Sequence, residues 1–311
     1  MPKISVIIPS YNASSYVKQC VSSLFNQTFT DFEVIVIDDG ATDESPALWD
    51  EYAKKDSRIQ VFHDKNHGQA VARNKAIKKA KGDYITFVDA DDTIDSDMLE
   101  VMYQKAITKD ADLVWCELSK VENGEKTPIL PIVSNVKDPK KDFILNNAGP
   151  SAKLIKRDLI IDNQLFFLEK RIYEDIAIVP SYALYAKKII HIKKPMYDYR
   201  IYPGSTMKQV KYHKKLEDIF FAMDQVQTKF QGKYPSEIEY LYIHHLLHAA
   251  SLRFFQFQEG KDSLLKIVEI MKSQYPNWNQ NSYYKQMGIK FKIICTLFYK
   301  KQYWLLKLLL K

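Results

Sequence analysis

Between Ile270 and Lys311 this chain has no Asp or Glu, yet it carries eight lysines there. Those lysines exceed the +7 of the whole 311-residue chain, so the remainder is close to neutral. That excludes the broad basic surface of a nucleic-acid binder, and no nucleic acid is expected as a partner. Cysteine is scarce: Cys20, Cys116 and Cys295 lie far apart, in apolar neighbourhoods and without metal-ligand spacing. They read as buried, reduced thiols, which points to a cytoplasmic compartment. No run reaches the roughly 18 apolar residues of a membrane span. The first apolar run stops at Pro9, too early for a signal peptide. Also missing are a G-x-S-x-G elbow, a His beside any Cys, and a Gly-rich basic loop near the start, which disfavours nucleophilic schemes and nucleotidyl transfer. His244-His245-x-x-His248 lacks the adjacent Glu of a zinc-protease motif and reads as packing or surface histidines.

Apolar residues make up 46% of the chain and charged residues 27%, an ordinary globular balance with room for a sizeable core. Ile4–Ile8, Phe32–Ile37, Ile59–Phe62 and Tyr84–Val88 are short apolar runs that predict strands. Helical spacing separates them: Val17, Cys20, Val21, Leu24 and Phe25 share one face, Asp43 or Ser45 can cap a second helix with Pro46 in its first turn, and Gln69–Ala80 is a third. Continuous apolar strands alternating with amphipathic helices predict an α/β fold with a parallel sheet covered on both faces. Leu113–Leu118 predicts a further strand before a turn at Glu122-Asn123-Gly124, and Ile176–Ala186 a helix. Past Lys211 the chain reads as helices over Tyr212–Phe230, Ser236–Phe257, Lys261–Lys272 and Tyr283–Leu310. The expected division is a catalytic domain over 1–210 and a helical C-terminal region over 211–311.

Ligands of such sheets bind beyond the carboxyl ends of the strands. Here those ends carry Pro9-Ser10-Tyr11-Asn12, Asp38-Asp39-Gly40, His63-Asp64-Lys65-Asn66 and Asp89-Ala90-Asp91-Asp92, so polar residues gather at one rim. Asp89-x-Asp91 after an apolar strand suits Mn²⁺ or Mg²⁺ held jointly with a diphosphate. By itself the same pattern also describes a solvated acidic turn.

In order and spacing, Val6-Ile7-Ile8-Pro9-Ser10-Tyr11-Asn12, Gln27-Thr28-Phe29 and Val36-Ile37-Asp38-Asp39-Gly40-Ala41-Thr42-Asp43 resemble the family 2 glycosyltransferases of the GT-A fold, a Rossmann-like, mostly parallel sheet. The likeness continues through Asn66-His67-Gly68-Gln69, Ala72-Arg73-Asn74, Lys81-Gly82-Asp83 and Phe87-Val88-Asp89-Ala90-Asp91-Asp92, covering about the first 120 residues. Ala41 departs from the family's usual Ser. The resemblance implies a UDP-sugar donor, with Pro9 and Tyr11 cradling the base and Asp39 accepting the uracil N–H. It implies Asn66 and Arg73 on the nucleotide, Asp89 near the ribose, Asp91 on Mn²⁺ or Mg²⁺, and Asp92 beside the metal or the acceptor. Asp38 reads as structural.

Inverting transfer needs a base for the acceptor hydroxyl. The resemblance places it at Asp175 of Tyr173-Glu174-Asp175, with Glu174 orienting the acceptor; an acidic first turn favoured by the helix dipole is the plain alternative. Arg200 and Ser205 resemble residues that close over the diphosphate. Lys290–Lys311 reads as a basic amphipathic helix suited to a membrane interface, with core packing or an oligomer contact as the alternative. The expected acceptor is a glycan, lipid-linked if the tail meets a membrane, in capsule or exopolysaccharide synthesis. A glycoprotein acceptor, a non-catalytic partner subunit and a homo-oligomer stay open.

Overall fold

The computed structural model describes residues 1–202 and 211–310. Ile4–Ser10 (β1) and Phe32–Asp38 (β2) pair in parallel, Ile4 beside Phe32 and Ser10 beside Asp38. Ile59–His63 (β3) joins β2, and Tyr84–Phe87 (β4) joins β1, both in parallel. Their side chains are apolar on both faces because both faces are covered. Ile4, Val6, Ile8, Val34 and Val36 share a core with Val17, Cys20, Val21 and Leu24 of helix Ser14–Phe25 (α1) and Trp49 of helix Ser45–Lys55 (α2). Gln69–Lys79 (α3) packs against β1 and β2. Phe25, expected on the buried face of α1, is instead 40% exposed at the helix end, edge-on to Tyr52. Trp49 is fully buried and donates from Nε1 to Ser10 Oγ at 2.9 Å, fixing the end of β1.

The sheet runs β3-β2-β1-β4-β8-β6-β9-β5, where Thr93–Ile94 is β5, Leu113–Glu122 β6, Lys153–Lys156 β8 and Ile189–Ile201 β9. Met98–Lys109 (α4) lies between β5 and β6 in sequence. β1 to β4, β6 and β9 run in one direction; β8, β5 and Glu125–Ile129 (β7) run against them. The expected strand at Leu113–Leu118 runs on to Glu122 and turns back through Asn123 (φ 52°) and Gly124 (φ 84°), the left-handed pair a two-residue hairpin needs. β1 continues through Pro9 rather than ending there, because Ile7 is the last β1 residue paired to β4 and Pro9 forfeits no bond on that side.

The described residues form two compact units: Met1–Pro131, Asn147–Lys170 and Tyr182–Gln209, and Ile132–Asn146, Arg171–Ser181 and Val210–Lys311. The whole sheet belongs to the first. In the second, the expected helices become Asp218–Phe230 (α8), Pro235–Tyr242 (α9), Ser251–Phe255 (α10) and Lys261–Gln274 (α11), with a π-helical stretch, Ile243–Ala250, joining α9 to α10. Tyr283–Leu310 is not one helix. It divides into Ser282–Gln286 (α12), Ile289–Tyr299 (α13) and Tyr303–Leu309 (α14), broken at Gly288 and at Lys301, whose φ is +57°. The helix expected over Ile176–Ala186 forms only in its last part, at Tyr182–Tyr185. Turns lead into a 3₁₀ segment at Val179–Ser181, because Pro180 has no N–H to continue a helix. Pro139–Asn146 (α5), Arg157–Asp162 (α6) and Tyr182–Tyr185 (α7) complete the helices named. Among the described residues, no helix is long and apolar enough to cross a membrane.

Candidate active site

Leaving β4, the chain turns through Asp89-Ala90-Asp91-Asp92, closed by a bond from Asp92 N to Asp89 O at 3.0 Å. Three carboxylates in four residues repel one another, so the surroundings must hold them. Arg73 of α3 is 3% exposed and donates from Nη2 to Asp89 Oδ1 at 2.9 Å, while Ser151 Oγ donates to Asp89 Oδ2 at 3.3 Å. Tyr197, fully buried on β9, accepts from Asp89 N at 3.0 Å and donates to Asp92 Oδ2 at 2.7 Å. Arg200 donates from its backbone N to Asp92 Oδ1 at 2.8 Å and from Nε to Asp91 O at 3.0 Å. Asp92 is thus turned inward, 1% exposed, with both oxygens engaged. Asp91 stays partly exposed and accepts from Tyr202 Oη at 3.1 Å; the Tyr202 ring lies against Tyr16 at 4.7 Å, and Arg200 stands over Tyr16.

Burial raises the Asp91 carboxyl above its usual range, and the Asp89 charge adds to it. Burial, then Asp89 and Asp91, raise Asp92 well above its own. A divalent cation at this turn would relieve that repulsion, and hard oxygen donors suit Mn²⁺ or Mg²⁺. Among the described residues, no cluster of three or more His, Cys, Asp or Glu side chains could hold a metal by itself. One carboxylate completed by phosphate oxygens is how such ions are commonly held.

A second polar loop lies past β2. Asp39 is buried and accepts from His67 N and Gly68 N, both at 2.8 Å, tying this loop to the start of α3. Gly40 has a φ of +72°, and a Cβ there would stand 2.7 Å from Asn66 N, so only glycine lets the strands' loops approach this closely. Asp38 accepts from Ala41 N at 3.0 Å and bonds His63 Nδ1 at 3.0 Å, the structural part expected of it. Asp43 accepts from Ser14 N at 2.8 Å and from Ser45, gathering the starts of α1 and α2. Burial opposes its charge, but bonds from Ser45 and Ser14 prevail and hold the carboxyl at about 2. Tyr11 is half exposed and Asn66 exposed at the same rim, with Pro9 beside them at the end of β1.

The first unit therefore brings Pro9, Tyr11, Asp39, Asn66, Arg73, Asp89, Asp91, Asp92 and Arg200 to the ends of adjoining strands. Glu174 and Asp175 belong to the second unit. Glu174 is buried, and Asp175 is partly buried and accepts from Ile176 N at 2.8 Å. Ser205 lies outside the described residues. Sequence reading missed Tyr197, Tyr202, Tyr16 and Ser151. Tyr197 and Tyr202 flank the Tyr199-Arg200 pair, and alternation along Tyr197-Asp198-Tyr199-Arg200-Ile201 was the available signal for a strand there. The three cysteines are free and buried; burial pushes the Cys116 thiol up to about 12 and the other two also upward, so none is a nucleophile. The His244 and His248 rings stack on Phe291 at 6.2 and 4.2 Å, and His245 stands edge-on to His244 at 4.9 Å.

Residues 5–160 match the family described as Glycosyl transferase family 2. The glycosyltransferase GlyG of Streptococcus pneumoniae serotype 4 is 34% identical over 221 residues, 66% of this chain and 73% of GlyG. The putative glycosyltransferase EpsH of Bacillus subtilis is 32% identical over 240 residues, 74% of this chain and 69% of EpsH. Among solved structures, S. aureus TarS 1–349 in complex with UDP-GlcNAc superposes with a TM-score of 0.65 at 24% identity, covering 89% of this chain and 79% of that one. The mannosyltransferase PcManGT of Pyrobaculum calidifontis, in complex with GDP-Man and Mn²⁺, gives 0.53 at 16% identity over 96% and 87%. At these identities the two structures speak for the fold.

Proposed function

The chain belongs to glycosyl transferase family 2 and is a glycosyltransferase of the GT-A fold, and we propose that it moves a sugar from a UDP-sugar to a glycan hydroxyl with inversion. The observation that carries this is the turn after β4, where Arg73, Tyr197 and Arg200 hold Asp89 and Asp92 while Asp91 keeps a partly exposed carboxylate.

Asp91 would hold Mn²⁺ or Mg²⁺, with Asp92 acting on that site through the turn it anchors. When bound, the cation neutralises charge gathering on the departing diphosphate. Pro9, Tyr11 and Asn66 face the base and nucleotide. The Asp39 oxygens each keep a second lone pair for the uracil N–H. Arg73, expected on the diphosphate, is spent on Asp89 and so aims that carboxylate at the ribose; Arg200 and Ser205 are left for the diphosphate. As the acceptor hydroxyl attacks the anomeric carbon, Asp175 takes its proton and Glu174 orients the acceptor. The bond from that carbon to the diphosphate oxygen breaks, and UDP leaves with the electron pair. The proposed acceptor is a lipid-linked oligosaccharide of a surface polysaccharide, and the proposed compartment is the cytoplasm, which the free, buried thiols support.

UDP release from UDP-Glc, UDP-Gal, UDP-GlcNAc and UDP-GalNAc, with and without Mn²⁺ or Mg²⁺, tests the donor and the metal. Asp91→Asn should lose metal-stimulated release, and Asp175→Asn should lose transfer while still binding donor. Undiminished turnover in Asp175→Asn rejects its role as base.

A further inference from the structure

The last two helices present an apolar surface on the side away from their core. On α14, Leu306 is fully buried, whereas Trp304 and Leu308, one turn apart on the opposite side, are 65% and 64% exposed. On α13, Ile294, Cys295, Leu297 and Phe298 are buried, while Ile289 and Ile293, again one turn apart, are 73% and 39% exposed. Lys290, Lys300, Lys301 and Lys307 are exposed among them, and no acidic residue follows Glu269. Exposed indole and branched aliphatic side chains interspersed with cations, and with no acid among them, are unlike an ordinary solvated helix face.

We propose that this surface docks on an anionic lipid bilayer. Trp304 and Leu308 would enter the headgroup boundary, and the lysines would reach lipid phosphates. A second copy of the chain fits worse, because a two-fold contact lays lysines against lysines with no acid to offset them. These short helices lie on a bilayer; none spans it. Docking here would bring the enzyme to the lipid-carried acceptor proposed above, and its physical basis stands apart from that reading.

Trp304 also supplies the reporter. Trp49, Trp115 and Trp278 are each buried, so a change of indole surroundings on adding vesicles belongs to Trp304. The full chain is mixed with phosphatidylcholine vesicles, with or without roughly 30% phosphatidylglycerol, and followed by sedimentation and tryptophan emission. Sedimentation and a blue shift with the anionic vesicles, weakened by high salt, are expected. Trp304→Ser with Leu308→Ser, and separately Lys300→Glu with Lys301→Glu and Lys307→Glu, should each lower partitioning about tenfold or more. Both sets should keep wild-type melting and wild-type UDP release in vesicle-free solution. No sedimentation, equal partitioning by the variants, or self-association that the variants abolish in place of vesicle binding overturns the proposal. Loss of UDP release by the wild type would instead count against the transferase reading and leave the vesicle result standing.

Discussion

The Tyr197 hydroxyl donates to Asp92 Oδ2 at 2.7 Å across 105 positions of chain. The same oxygen accepts from Asp89 N, so one buried phenol sets both ends of the carboxylate turn. Tyr197→Phe removes both bonds and leaves a buried N–H and a buried carboxylate short of partners. The expected loss is about 1–3 kcal/mol in urea denaturation. The metal concentration for half-maximal UDP release should also rise, since Asp91 is then less well placed. A stability loss with unchanged metal dependence would make Tyr197 a packing residue only.

Arg73 is buried and Asp89 partly exposed in their pair at 2.9 Å. Arg73→Ala should destabilise by about 1–3 kcal/mol, because Asp89 loses a charged donor beside two other carboxylates while water and Ser151 still reach it. Asp89→Asn together with Arg73→Gln should recover part of that loss while remaining inactive. Thermal unfolding of the single and double variants checks this.

Gly40→Ala puts a methyl group where Asn66 N already stands and imposes a positive φ on a residue that resists it. A cost of about 1–3 kcal/mol is expected. Because the 66–68 loop must move, KM for the nucleotide sugar should rise more than kcat falls. Steady-state kinetics with saturating acceptor separates the two.

Burial presses His244 and His248 down to about 4, with His248 adding to the effect on His244, against an unfolded value near 6.5. Between those values the unfolded chain binds more protons than the folded one, so stability is full above about pH 6.5 and falls as pH drops toward 4. His248→Phe, stacked on Phe291 as the imidazole is, should make melting temperature fall less steeply over that window, while His244 and His245, also pushed down by burial, keep the rest of the slope. The Asp43 carboxyl, held at about 2, acts in a lower window, between its unfolded value near 4 and pH 2, where stability again falls with pH. The variant and wild-type curves should therefore converge in slope below pH 4.

The first two parallel strands were plain in the sequence because strands buried on both faces are apolar throughout: Val34-Ile35-Val36-Ile37, short, β-branched and followed by Asp38-Asp39-Gly40, favours a strand over a helix. β9 was not plain. Lys193-Lys194-Pro195 interrupts its middle, and the sheet absorbs them with register shifts opposite Cys116, Glu117 and Leu118, a bulge no local pattern announces. Helical spacing over Ile176–Ala186 misled because it gave too little weight to Pro180. The motif residues themselves were easy to find, yet their duties depend on partners far along the chain. The motif suggests Arg73 for the nucleotide and Asp92 for the metal or acceptor side, but no local pattern announces that Arg73 bonds Asp89 or that Tyr197 and Arg200 engage the Asp92 oxygens.

β8 runs antiparallel between β4 and β6, and only beyond β6 does β9 find its place. During synthesis β2 can pair with β1 and β3 with β2 as they emerge, while β4 must reach back 80 positions, from Tyr84 to Ile4, to pair with β1. The residues that lock the turn after β4 come about a hundred positions later, and contacts of such separation form slowly. Until β9 is made, Asp92 has neither Tyr197 nor Arg200 to engage its oxygens, and the acidic turn rests on Arg73 and Ser151, which hold Asp89.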